Sequence, residues 1–108
     1  MTKKPVRKAV KPPIAVAKEA ARGLELRALH RRGGTEIGVW RAEGLKARTP
    51  LDVSELKRIR SYFARHEVDK RGKDWHNKER PSAGYIAWLL WGGEPGREWV
   101  EAELKKRN

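Results

Sequence analysis

Between positions 66 and 76 the chain sets His66, Glu67, Asp69, Asp74 and His76 near one another in sequence. Imidazoles and carboxylates ligate divalent metals and move protons, so a hydrolytic centre is the first chemistry to weigh. The spacing does not support it. A helical ligand pair needs His-x3-His, which His66 and His76 do not provide, and no ββα pattern surrounds them. His66, near the end of a predicted helix, suits a dipole or capping contact instead. No catalytic residue, no metal and no cofactor is expected.

The second chemistry is electrostatic. The chain has 108 residues, 26 Lys and Arg, 14 Asp and Glu, and a net charge of +12. The first 34 residues hold ten of those bases and two of the acids, and so carry +8 of the +12. Such a segment on a more balanced body points to a polyanion: nucleic acid, an acidic membrane surface, or an acidic protein. Each cation that neutralises a phosphate releases counterions, which gives affinity without sequence preference. The candidate contacts are Lys3, Lys4, Arg7, Lys8 and Lys11 in the arm, and Arg22, Arg31 and Arg32 after it. Lys57, Arg58 and Arg65 lie on a later helix, with Arg58 and Arg65 on one face and Lys57 and Arg60 nearer another.

Aromatic residues are the third resource, since unpaired bases stack on them. Of the five tryptophans, Trp40, Trp88 and Trp99 fall at helical core spacing. Trp75 and Trp91 lie near loops and are the better candidates for exposure. Trp75 has Lys73, Lys78 and Arg80 around it, a basic and aromatic mixture suited to nucleic acid; its other reading, of equal weight, is a plug that pins the long loop to the bundle.

These groups need elements to position them. Met1–Pro13, with three prolines, five bases and no acid, reads as a disordered or extended arm ahead of one helical domain over residues 14–108. Ile14, Ala17, Ala21, Leu24 and Ala28 form one face of a first helix that runs to Arg31 and ends at Gly33-Gly34. Thr35 caps a second helix to about Arg48, anchored by Ile37, Trp40 and Leu45. Asp52, with Glu55 three residues on and Leu51 stapling Leu56, opens a third to about Glu67 that buries Leu56, Ile59 and Phe63. A polar loop follows over Asp69–Arg80. Pro81-Ser82 starts a fourth helix to about Trp91, with Ala83, Ile86, Ala87 and Leu90 on one face. Trp88 and Leu89 widen that surface enough to make this helix central. After Gly92-Gly93, Pro95 stands at the start of a last helix carrying Trp99, Val100 and Leu104. The fold expected is a small all-α bundle of four to five short helices. The second and third, joined by Lys46–Pro50, would form a helix-turn-helix-like pair.

Two stretches, SYFARHEVDK at Ser61–Lys70 and PSAGYIAWLLWGG at Pro81–Gly93, resemble a small helical module of bacteriophage and prophage proteins. Upstream, AARGLELRAL at Ala20–Leu29 and RGGTEIGVWRA at Arg32–Ala42 are similar to its earlier part. The module occurs alone and appended to virion-assembly proteins such as prohead proteases. The resemblance implies a phage origin and a place near the capsid or the phage DNA, and it brings no catalytic residues. Where its common pattern opens the third helix with Ser-Pro, this chain has Asp52-Val53, and Asp still caps.

The absence of cysteine removes disulfides and thiolate metal sites. No secretory leader or apolar run long enough to span a bilayer is read, which places the protein in the host cytoplasm or the virion, away from membranes. The expectation is a non-enzymatic DNA-associated protein that contacts phosphates largely without sequence specificity. The alternative is a minor structural, cement or assembly protein of a phage capsid, its arm lying on an acidic coat-protein surface.

Overall fold

The computed structural model describes residues 9–75 and 77–107. Five α-helices follow in order: α1 (Ile14–His30), α2 (Glu36–Lys46), α3 (Val53–His66), α4 (Ala83–Leu90) and α5 (Gly93–Lys106). No β-strand occurs among the described residues, and a 3-10 turn (Glu67–Arg71) extends α3 into what the sequence reads as loop. The all-α expectation holds. None of these helices is long and apolar enough to cross a membrane.

The helix starts follow their caps. Thr35 Oγ1 accepts from the Gly38 N–H at 3.2 Å, and Ser82 Oγ accepts from the Tyr85 N–H at 3.0 Å. Asp52 Oδ1 accepts from the Glu55 N–H at 3.0 Å. That bond holds the Asp52 carboxyl below its ordinary range, because it is made to the ionised form. The helix ends differ more. α1 closes on Arg31, in the left-handed region at φ 55°, before its glycines are reached. α5 begins at Gly93, two residues before Pro95, because Gly92 (φ 118°) and Gly93 (φ 66°) turn the chain between α4 and α5.

The inward face of α1 is Val16, Ala20 and Gly23, while Ile14 and Ala28 face solvent. Counting apolar residues picks the bulkiest stripe, whereas packing selects the stripe that lets a neighbour come closest. A Cβ on Gly23 would lie 2.8 Å from the Leu90 backbone nitrogen and 3.0 Å from Leu89 Cβ, so α1 and α4 cross almost backbone to backbone. α4 is central as expected, burying Ile86, Trp88, Leu89 and Leu90. α3 buries Leu56, Ile59 and Phe63 as expected, together with Tyr62.

α2 is rotated from its expected orientation. Gly38, Arg41, Ala42 and Leu45 turn inward, and the expected anchors Ile37 and Trp40 are 66% and 62% exposed. The helix-turn-helix-like expectation fails with it. α2 packs on α1 and α4 while α3 packs mainly on α5, so their backbones do not form a pair. The chain entering the bundle pairs instead with the connection between them. Val10 and Leu51 exchange backbone hydrogen bonds at 2.9 Å in both directions, Pro12 is buried, and Arg48 Nε donates to the Pro12 carbonyl at 2.7 Å. The described end of the arm is therefore extended and fastened to the bundle.

Helix propensity alone favours Ala over Gly in a helix interior by ~1 kcal/mol. At Gly23 the clash with α4 backbone overrides that gain, and Gly23→Ala is expected to destabilise the protein by about 2 kcal/mol in urea unfolding. A stabilised variant would refute the close crossing.

Candidate nucleic-acid interface

Lys57, Arg58, Arg60 and Arg65 are all exposed on α3. At 3.6 residues per turn these bases, with Ser61 and Ala64 between them, cover an arc of roughly 160°. Because α3 is packed from one side only, the two directions the sequence assigns to these bases join into one solvent-facing strip. No acid lies between Lys57 and Arg65, and none of the four bases forms an ion pair among the described residues. Helix α5 is the contrast. Its Arg97 pairs with Glu94 at 3.3 Å and Glu101 at 3.8 Å, and Glu103 pairs with Lys106 at 3.4 Å and Arg107 at 3.8 Å.

The other sequence candidates scatter. Lys3, Lys4, Arg7 and Lys8 lie outside the described residues, and Lys11 is exposed on the extended segment. Arg31 is exposed at the end of α1. Arg32 is half-buried, and its Nη2 donates to the Pro81 carbonyl at 2.7 Å, a bond that ties the α1–α2 loop to the start of α4. Lys73, Lys78 and Arg80 are exposed on the segment joining the 3-10 turn to α4.

Trp75 takes the second of its two readings, the plug, while the expectations for Trp91 and Trp40 are reversed. Trp75 is 6% exposed, its ring edge-on to Tyr85 at 5.2 Å and to Trp88 at 5.6 Å. It pins the loop to the core and offers no open face for a base. Trp91 is half-buried and Trp40 is the exposed one. The cause is Arg41, only 4% exposed, whose guanidinium lies between the rings of Trp40 at 5.1 Å and Trp91 at 5.5 Å. Burial pulls the Arg41 pKa down, and Glu55, with Oε2 at 3.7 Å from Arg41 Nη1, partly restores it. Arg41 Nε has no hydrogen-bond partner among the described residues. The column continues as Trp91 stacks on Tyr62 at 4.6 Å and Tyr62 on His66 at 4.5 Å. Burial also pushes the Tyr62 phenol up.

One convergence escapes the sequence. Arg22 of α1, Lys73 and Trp75 of the loop, and Tyr85, Trp88 and Leu89 of α4 line a single groove of about 700 Å³. Arg22 Nη1 donates to the Tyr85 hydroxyl at 3.2 Å. Nothing in the local pattern around Arg22 marks a partner 63 positions away.

His66 Nδ1 meets Asp69 Oδ2 at 3.1 Å, and among the described residues no group of three His, Cys, Asp or Glu lies close enough to hold a metal ion. No family model, curated protein or solved structure matches the chain.

A buried guanidinium stripped of its one carboxylate is costly, whereas replacing the pair with apolar volume is often neutral. Glu55→Gln is therefore expected to lose about 2 kcal/mol in urea unfolding. The double variant Arg41→Met/Glu55→Gln is expected to be more stable than Glu55→Gln alone. A loss below ~0.5 kcal/mol in the single variant would mean the pair does not hold α2 to α3.

Proposed function

We propose that this is a phage-encoded, non-enzymatic nucleic-acid-associated protein that contacts phosphates largely without reading bases. The observation that carries the proposal is the outer face of α3: Lys57, Arg58, Arg60 and Arg65 exposed, unpaired among the described residues and undiluted by acid. Four unpaired cations at a helical rise follow a phosphate backbone without needing register with base edges. The basic residues of the first 34 positions add to the same field. The likeness of the Ser61–Lys70 and Pro81–Gly93 stretches to phage modules supports the origin.

A second reading, a minor structural or assembly protein of a phage capsid whose basic arm lies on an acidic coat-protein surface, draws on α2. Ile37 and Trp40 stand exposed one turn apart, apolar area of the kind that protein contacts cover. Purified virions containing the chain at a fixed ratio to coat protein would favour it.

Binding to random-sequence duplex separates these readings. If four phosphates are neutralised, affinity is expected to fall about 100-fold between 50 and 200 mM salt. Replacing Lys57, Arg58, Arg60 and Arg65 by alanine, all exposed, is expected to abolish most of that binding and leave the melting temperature within ~2 °C. Absence of measurable duplex binding by the intact protein at 50 mM salt would overturn the proposal.

A further inference from the structure

The groove between α1, α4 and the 72–80 loop has a charge balance that its composition hides. Two carboxylates border it, and each is engaged elsewhere. Glu94 contacts the Lys70 ammonium and, at 3.3 Å, Arg97 Nε. Glu19 packs against Gly93, the first residue of α5, whose N-cap Gly92 offers no side-chain cap. A carboxylate there complements the positive end of the helix dipole. Lys70 is also engaged, by Glu94, by Glu67 at 3.5 Å and by the face of Trp88 at 4.7 Å. Arg22 and Lys73 then remain as the cations of the rim without an acidic partner among the described residues, one from α1 and the other from the loop.

Beneath these cations the lining is aromatic and apolar. Tyr85 is half-buried, with Trp88 and Leu89 under it, and the buried Trp88 Nε1 has no acceptor among the described residues. The volume, about 700 Å³, lies within the range of small-ligand sites. An aromatic floor and two cations at the rim match a flat aromatic ring joined to an anion.

We propose that this groove seats one unpaired nucleotide, its base against Tyr85 and Leu89 and its phosphate on Arg22 and Lys73. The inference rests on the nucleic-acid reading above and deepens it, because a base stacked within a duplex cannot enter. The α3 strip would then bind duplex and single strand alike, and the groove would add a preference for single strand.

The probes are dTMP, a ten-nucleotide oligo(dT), and a random duplex of equal phosphate count. The readouts are binding affinity and the five indole N–H signals in nitrogen-15 NMR spectra, assigned by single Trp→Phe variants. The intact protein is expected to bind oligo(dT) about tenfold more tightly than duplex, as one stacked base allows. The Trp75 and Trp88 signals should shift with dTMP and oligo(dT) but not with duplex. Arg22→Ala/Lys73→Ala, both on exposed side chains, should erase the tenfold preference by costing oligo(dT) about tenfold more affinity than duplex, and leave the melting temperature unchanged. Equal losses on both polymers, or unmoved Trp75 and Trp88 signals, would overturn the groove while leaving the α3 reading intact. Shifts with dTMP in a protein that binds neither polymer would uphold the nucleotide site and sink the polymer-binding function.

Discussion

A single buried guanidinium organises this protein. Arg41 lies between the faces of Trp40 and Trp91, with one carboxylate, Glu55, at 3.7 Å. Removing a guanidinium from water costs several kcal/mol, and one carboxylate plus two ring faces offsets only part of that. The arrangement persists because so much else is fixed through it. It sets the rotation of α2, turns Trp40 outward, holds the end of α4 through Trp91, and reaches the first turn of α3 through Glu55. The last link matters most, since α2 and α3 have no backbone packing between them.

From Trp91 the stacking runs inward through Tyr62 to Phe63 and Trp88, and from Trp88 to Trp75 and Tyr85. A chain of this size buries a smaller share of its surface than a larger domain does and has little margin. Here the margin comes from rings, each removing on the order of 200 Å² from water and gaining from edge-to-face contact. The same rings explain how a loop as polar as residues 72–80 stays in place. Trp75 anchors it at one point, the Trp75 N–H donates to the Gly72 carbonyl at 3.2 Å, and the Ser82 N–H donates to the Asp74 carbonyl at 2.9 Å.

Sequence patterns reveal the elements of this fold better than the orientation of their faces. Caps are local chemistry, so Thr35, Asp52 and Ser82 announce their helices correctly. Faces depend on the approach of a neighbour, which no window of residues contains. On α1 the decisive position is Gly23, which an apolar count scores as nothing. On α2 it is Arg41, which such a count scores as surface. On α3 both the apolar face and the bases are legible, because the helix is amphipathic in the ordinary sense. The groove was half legible: the mixture around Trp75 stands out in sequence, but the burial of Trp75 and the arrival of Arg22 depend on the tertiary fold.

The distribution of pairing, more than the net charge, gives the molecule a direction. Glu94, Glu101 and Glu103 on α5 sit three or four residues from bases and cancel them locally, so that helix contributes little field beyond a Debye length of ~8 Å at physiological salt. α3 has no such acids after Glu55, and its field reaches outward unopposed. Selection for solubility alone has no reason to strip acids from one helix and keep them on the next, since scattered charge of either sign serves that end. A long anionic partner does supply a reason: every acid on the contacting face would repel it, while acids on the far side cost it little. The contrast between α3 and α5 is therefore a stronger argument for a polyanion than the +12 itself.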